Sequence, residues 1–469
     1  MKTIFKLLIN GNLVEGASSM PVLNPASGLE FAQSPRADVA QVNLAVAAAK
    51  AAFPEWSRRP WGERLDMLKL LANSLEQRIE EFANLLTHEQ GKPLEQAKME
   101  CLGCLYIIRG FLDYDLKPVV LREDETTRVV EYQSAIGVVA AITPWNFPLV
   151  LLMNKLAPAL LTGNTLVVKP APTTPLTTLL FGELCADIFP AGVVNIITDQ
   201  NELGSVLTEH PDVAKISFTG STATGRKVMA SASATIKRVT LELGGNDAAL
   251  VLDDVNVKET AQKLFDGAML NAGQICVAIK RAYIPNSLYD EFCEELARLA
   301  DAMKVGDGLE PDTQLGPIQN LAQFQKLKEF LIDSHQTGKV ISGGEALSRP
   351  GYFIPPTIVR DVPDTASIVC NEQFGPILPV LRYADVDDAI ERINRSEYGL
   401  AATVWGADVE RATQVALRID SGTVWVNKHL DISPQIPFRG RRQSGFGAEL
   451  GLAGLKEYTQ AQVVNVLKK

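Results

Sequence analysis

Four histidines and six cysteines in 469 residues leave little material for a metal cluster or a disulfide framework. The cysteines, at 101, 104, 185, 276, 293 and 370, are scattered as reduced thiols of a cytoplasmic protein are. Cys101 and Cys104 alone lie close together, with no second pair to complete a zinc site. They sit in the apolar, helical-looking run from Met99 to Phe111 and read as buried helix residues. No metal ligand set is expected. Excess positive charge is also missing: a net charge of −10 and a pI near 5.2 argue against nucleic acid as a partner. The most membrane-like stretch, Leu149 to Leu161, is broken by Lys155 and Pro158 and is too short to span a bilayer. The opening run Met1 to Ile9 is too short for a secretory leader and ends at Asn10-Gly11, which reads as a strand entering a hairpin. Neither a G-x-G-x-x-G fingerprint, an internal repeat nor a low-complexity segment occurs, so no standard dinucleotide motif announces itself.

What is present is enough apolar material for a substantial core, 46% of residues, in a chain long enough for two or three domains. Leu65, Leu68, Leu71, Leu75, Ile79, Phe82 and Leu86 recur at three- and four-residue steps and predict an amphipathic helix within 62–90. From about 135 the pattern becomes short apolar runs between helical ones: Val138 to Ile142, Leu166 to Val168, Val193 to Ile197, Lys215 to Phe218 and Val239 to Leu243. This alternation predicts β-α-β units and a parallel sheet, whose ligands bind at the carboxyl ends of its strands. The loops there are Pro144-Trp145-Asn146-Phe147-Pro148, Lys169-Pro170-Ala171-Pro172 and the segment from Thr219 to Gly225. Gly220 and Ser221 can offer donors to a pyrophosphate at a helix start. A second α/β region follows Gly244-Gly245, with helices at 257–271, 287–303 and 408–419 and strands at 248–252 and 422–426. The runs Arg128 to Tyr132 and Glu457 to Leu467 read as strands without partners in their neighbouring domains.

The chemistry concentrates at Gly273-Gln274-Ile275-Cys276, thirty-four residues after Glu242 in Leu241-Glu242-Leu243-Gly244-Gly245. A thiolate there can attack a carbonyl carbon and hold the product as a thioester, with Glu242 as base. Asn146, between two prolines, is an amide donor for the developing oxyanion.

Taken in order, these segments resemble the aldehyde dehydrogenase superfamily through nearly the whole chain. The likeness rests on Asn146 in Pro-Trp-Asn-Phe-Pro, Lys169 in Lys-Pro, Glu242 before Leu-Gly-Gly, Cys276 after Gly-Gln-Ile and Glu372 before Gln373-Phe374-Gly375-Pro376. Tyr398-Gly399-Leu400-Ala401, Trp425-Val426-Asn427 and Ser444-Gly445-Phe446-Gly447 add to it. The resemblance implies an α/β fold with a Rossmann-type parallel-sheet domain for NAD or NADP (1–115 and 135–243), an α/β catalytic domain (244–442) and a small β extension (116–134 and 443–469) that joins subunits as homodimers or homotetramers. It implies oxidation of an aldehyde to its acid through a thiohemiacetal and a thioester on Cys276. Asn146 and the Cys276 amide would hold the oxyanion, Glu242 would activate water, and Lys155 would relay protons, against the alternative of a surface helix lysine. None of His88, His210, His335 and His429 falls in a family catalytic motif, which disfavours a Cys-His hydrolase. By the same resemblance Glu372 holds the nicotinamide ribose and Phe374 supports the ring. Lys169 meets the adenosine ribose, Ser221 meets the pyrophosphate, and Trp145, Gly220 and Leu243 complete the cofactor walls.

The chain also departs from the pattern. Pro172 stands where NAD-using relatives carry a ribose-binding glutamate, which leaves NAD expected and NADP tolerable. Asn154 replaces a common tryptophan and widens the substrate tunnel, whose other walls are Phe147, Val277, Ile432 and Phe438. A medium-sized aliphatic or aromatic aldehyde fits that mixture. Arg439, Arg441 and Arg442 are read either as partners for an acidic substrate tail or as an ion-pair cluster. Two further readings are an acylating relative that uses coenzyme A, disfavoured by Glu242, and a catalytically silent structural relative, disfavoured by Cys276, Asn146 and Glu242 together.

Overall fold

Strands buried on both faces read as unbroken apolar runs, and Val138–Ile142 and Thr165–Lys169 are buried at every position. In the computed structural model, which describes residues 4–468, they form the middle of an eight-stranded sheet. Residues 1–3 and 469, where the first predicted strand run and the extension end, lie outside the described residues. Five parallel strands stand in the order Val194–Ile196, Thr165–Lys169, Val138–Ile142, Val213–Thr219, Arg238–Glu242. The chain order reverses between Val138–Ile142 and Val213–Thr219, so the loops leaving those two strands part and open a crevice. The first hairpin, Leu7–Ile9 with Asn12–Val14, adds antiparallel to Val194–Ile196. Its turn residues Asn10 and Gly11 have φ of 53° and 73°, the left-handed pair that a tight two-residue hairpin requires.

A seven-stranded second sheet follows, in which Ala248–Val251 lies between the central strand Arg281–Pro285 and Ala401–Trp405. Each sheet has its own apolar core, one around Leu8, Val139 and Phe181, the other around Leu250, Phe265 and Ile358. Glu242 ends the last parallel strand of the first sheet, and residues 243–247 carry the chain straight to Ala248. Cys276 precedes Arg281–Pro285, so the carboxyl edge of one sheet meets the amino edge of the other. Direct contact joins the edges: Asn146 Nδ2 donates to the Gln274 carbonyl at 2.9 Å.

Three features differ from the sequence reading. The apolar repeat of 62–90 is carried by two helices, Trp61–Glu76 and Ile79–Gln90, because Arg78 leaves helical geometry at φ −118° and ψ 16°. A three- and four-residue repeat runs through such a break unaltered, so periodicity alone does not reveal it. The two strands read as unpartnered pair with each other, Thr459–Leu467 antiparallel to Thr127–Ala135, and Val119–Glu123 completes a three-stranded sheet. Residues 443–458 stay with the large sheet: Gly445–Phe446 pairs with Arg238–Glu242, and Gly451–Lys456 packs near Val150–Leu161. Within 443–469, the part that pairs with Thr127–Ala135 is Thr459–Leu467.

Candidate active site

Cys276, the candidate nucleophile, sits at the end of a sharply bent strap. Asn271, Ala272 and Gly273 take φ of 51°, 55° and 68° in succession, backbone that only a well-braced site retains. Gly273 is required, since a Cβ there would lie 2.3 Å from the Gly375 carbonyl oxygen. The bracing is polar: Asn271 Nδ2 donates to the Asn146 carbonyl at 3.1 Å, and Gln274 Nε2 to the Asn271 carbonyl at 2.9 Å. Cys276 is partly exposed, whereas Cys101, Cys104, Cys185 and Cys293 are buried. Desolvation pushes its thiol up to about 12; Lys280 opposes this, while Asp247, Glu372 and Glu242 add to it.

Asn146 is buried, and its bond to Gln274 uses one amide hydrogen, which leaves the second for an oxyanion. Its loop is clamped by a pair that the sequence reading missed. Lys92 Nζ lies 2.6 Å from Glu100 Oε2, 3.0 Å from the Asn146 carbonyl oxygen and 3.6 Å from the centre of the Phe147 ring. Glu100 Oε1 in turn accepts from the Leu149 and Val150 amides, at 2.9 and 3.3 Å. Both side chains are fully buried. The available signal was an acid, Glu100, within the largely apolar stretch that holds Cys101 and Cys104.

Glu242 is buried, and neither carboxylate oxygen has a hydrogen-bond partner. Burial raises its carboxyl well above the ordinary range; Glu449 and Glu457 raise it further and Lys155 works against them. Lys155 is wholly buried, which removes the surface-lysine alternative. Its Nζ meets Glu449 Oε1 at 2.5 Å, Thr219 Oγ1 at 2.7 Å and Ser217 Oγ at 3.3 Å. Asn154, expected on the tunnel wall, donates from Nδ2 to Glu449 Oε2 at 3.2 Å and is 8% exposed. Glu449 was missed on sequence, although it follows Gly447-Ala448 in a segment already flagged.

The crevice at the strand reversal has the parts a dinucleotide needs. A cavity of about 460 Å³ is lined by Ile142, Lys169, Phe218, Thr224 and Val228 among others. Lys169 Nζ is 2.6 Å from Asp199 Oδ1, a buried carboxylate that the sequence reading did not single out. Pro172 lines a neighbouring cavity with Thr173 and Gln200. Ser221 caps the helix Thr222–Ala232, accepting from the Thr224 amide at 3.2 Å, and the Gly220 amide donates to the Glu242 carbonyl at 3.0 Å. Leu243 is buried against Gly225, where a Cβ would come within 2.5 Å of it. At the far end Glu372 Oε1 accepts from the Gly245 amide at 3.0 Å, and a Cβ on Gly244 would lie 2.2 Å from Glu372 Oε2. The Trp145 and Phe374 rings stand edge-to-face at 5.3 Å. Apolar walls, a glycine cradle and an acceptor carboxylate fit a nicotinamide dinucleotide.

Phe147, Cys276, Val277 and Phe438 join one apolar cluster with Leu430, from the segment after Asn427 expected on the tunnel, and with Leu270 and Leu400, which were not anticipated. Ile432 is 37% exposed and outside that cluster. Arg441 and Arg442 pair with Asp420, at 3.0 Å and, from Arg442 Nε, 2.7 Å. Those two therefore form an ion-pair cluster within the chain.

A structure titled as the NAD⁺ complex of an aldehyde dehydrogenase from Bacillus cereus superposes with a TM-score of 0.97 at 34% identity, covering 99% of this chain and 97% of that one. The NADP⁺ succinate-semialdehyde dehydrogenase of Escherichia coli (strain K12) is 35% identical over 461 residues, 97% of this chain and 96% of its own. A mitochondrial aldehyde dehydrogenase of Leishmania tarentolae is 38% identical over 470 residues, 98% of this chain and 94% of its own. Residues 13–464 match the Aldehyde dehydrogenase family, and the chain belongs to that family.

Proposed function

We propose that the protein oxidises an aldehyde to the free carboxylic acid with NAD, NADP being tolerated, through covalent catalysis by Cys276. The observation that carries this reading is a partly exposed cysteine on a braced strap, with the buried and unpaired carboxyl of Glu242 across the junction of the two sheets. The Cys276 sulfur attacks the aldehyde carbon, and the oxygen that becomes negative is held by the spare Asn146 amide hydrogen and the Cys276 N–H. A bound nicotinamide supplies the hydride acceptor. Loss of hydride leaves a thioester on Cys276, and Glu242 takes a proton from the water that cleaves it, releasing acid and thiol. Lys155 and Glu449 sit behind Glu242 as its route for protons.

Trp145, Lys169, Gly220, Ser221, Leu243, Glu372 and Phe374 hold the dinucleotide in this reading. The Asp199 carboxylate beside Lys169 offsets the charge that a 2′-phosphate would meet at that lysine, which favours NAD, while the uncharged Pro172 and Lys227 on the same cavity leave NADP tolerated. Residues 1–115 with 135–243 form the cofactor domain, and 244–442 carry the nucleophile. Phe147, Val277, Leu430 and Phe438 shape an apolar tunnel for a medium-sized aliphatic or aromatic aldehyde. The three-stranded sheet, with Val119, Leu121, Val463 and Val466 each about half exposed, joins subunits into a homodimer or homotetramer in the cytoplasm.

The test is formation of reduced nicotinamide by purified protein with NAD and NADP in parallel, over aliphatic and aromatic aldehydes, with and without coenzyme A. Turnover without coenzyme A supports hydrolysis, and a strict requirement for it overturns the role of Glu242. Cys276→Ala is expected to abolish turnover and keep the fold; full activity in that variant ends the mechanism.

A further inference from the structure

Lys280 is a lysine with 1% of its surface exposed, at the start of the buried strand Arg281–Pro285. Its Nζ donates to the carbonyl oxygens of Ile275, at 3.0 Å, and of Cys276, at 2.5 Å, and faces Glu372 Oε1 at 3.5 Å. The main chains are tied as well: Gln373 Nε2 donates to the Lys280 carbonyl at 3.0 Å, and the Lys280 amide to the Asp247 carbonyl at 2.9 Å. One ammonium thus joins the nucleophile's backbone to the segment that carries the cofactor carboxylate. A neutral donor would satisfy the two carbonyls equally well. The positive charge has a separate effect, because Lys280 favours the thiolate while Asp247, Glu372 and Glu242 work against it. Unit charges near one another in a poorly solvated site interact strongly.

We propose that Lys280 is a positioning residue that couples the dinucleotide site to the nucleophile, shared between the Cys276 carbonyl and the Glu372 carboxylate so that occupation of Glu372 strengthens its hold on the thiolate. The proposal rests on the reading that Glu372 accepts the ribose hydroxyls. Two hydroxyl donors on that carboxylate disperse its charge and leave more of the Lys280 field at Cys276 Sγ. The bound cofactor then finds a nucleophile that is primed, and the thiol stays protonated and inert without it.

The test measures the rate of Cys276 alkylation by iodoacetamide from about pH 7 to 12, a window that reaches the raised thiol, with and without NAD. Peptide mapping identifies the modified site, and a Cys370→Ser background removes the exposed thiol. The midpoint of the pH profile is read rather than its plateau, because NAD also shields the thiol. Expected is a downward shift of the midpoint on NAD binding. Lys280→Met is expected to move it up by about one pH unit, roughly tenfold less thiolate at a given pH, and to abolish the NAD response. Lys280→Arg restores both, and Lys280→Gln, which keeps a donor without charge, behaves as Lys280→Met does. A Lys280→Met or Lys280→Gln profile that coincides with the parent overturns the proposal. So does a parent midpoint unmoved by NAD while NAD binding is seen by tryptophan fluorescence. No NAD binding at all would instead sink the cofactor reading, and alkylation of Cys276 in an enzyme that still turns over would sink the nucleophile.

Discussion

Glu242 is the residue whose surroundings say most about its chemistry. A buried carboxyl with two unpaired oxygens and two acidic neighbours is held neutral at pH values where an exposed glutamate is ionised. Because the shift is upward, the base form appears only as pH rises, so thioester hydrolysis is expected to accelerate with pH along a limb above the ordinary carboxylate range. Glu242→Gln is expected to give one burst of reduced nicotinamide and then stall, without that limb. An unchanged steady-state rate in rapid-mixing experiments would show that another base serves. Asn146→Ala removes one oxyanion donor and is expected to lower kcat about 10²- to 10³-fold with KM little altered. A change confined to KM would place Asn146 in binding only. Both residues were legible in the sequence, because proline-flanked asparagine and Glu-Leu-Gly-Gly are local patterns. Asn154 was legible only in part: its position in the chain pointed at a tunnel wall, and its amide turns to Glu449.

At the scale of elements, the Pro144–Pro148 loop is positioned by a helix that precedes it by many residues. Lys92 ends the turn after Ile79–Gln90, Glu100 lies on Leu94–Phe111, and between them they bind the carbonyl of Asn146 and the amides of Leu149 and Val150. Taking one partner from a fully buried pair leaves the other charge uncompensated, a loss of about 3–5 kcal/mol. Lys92→Met is therefore expected to lower the urea midpoint sharply and to reduce kcat, and Lys92→Met with Glu100→Gln to recover part of the stability. Equal midpoints for the single and double variants would refute the clamp. The sequence placed strands better than helix ends. All five runs from Val138 to Leu243 are strands of one sheet, because a parallel strand buried on both faces has to be a continuous apolar run. The break at Arg78 left no mark on the repeat around it.

For the whole molecule, the small sheet of Val119–Glu123, Thr127–Ala135 and Thr459–Leu467 stands out for exposed apolar side chains on its outer strands. Val463→Lys with Val466→Lys places charge on that surface without touching the crevice. The variant is expected to shift the light-scattering mass in solution toward the 51.0 kDa of one chain, with thiol alkylation at Cys276 unchanged. An unaltered mass would move the subunit contact elsewhere. The chain visits this sheet twice, at 119–135 and at 459–467, and in between builds the second large sheet and all of the first but its opening hairpin. Its closing segment also pairs Gly445–Phe446 with the strand that ends in Glu242, and it delivers Glu449 to Lys155.

The sequence by itself determined the order of strands and helices, the kinship of the chain and the candidates for nucleophile, base and oxyanion donor. Each of these is written in a run of a few adjacent residues, where local sterics and apolar periodicity act. Only the tertiary structure decided which charges meet: Lys92 with Glu100, Lys155 with Glu449, Lys169 with Asp199, and Lys280 with Glu372. A buried charge needs a partner because desolvation is costly, yet nothing in a linear chain says which distant acid will lie within reach of a given amine. That choice is made by the packing of two sheets edge to edge, and it is what turns a partly exposed cysteine into a candidate nucleophile.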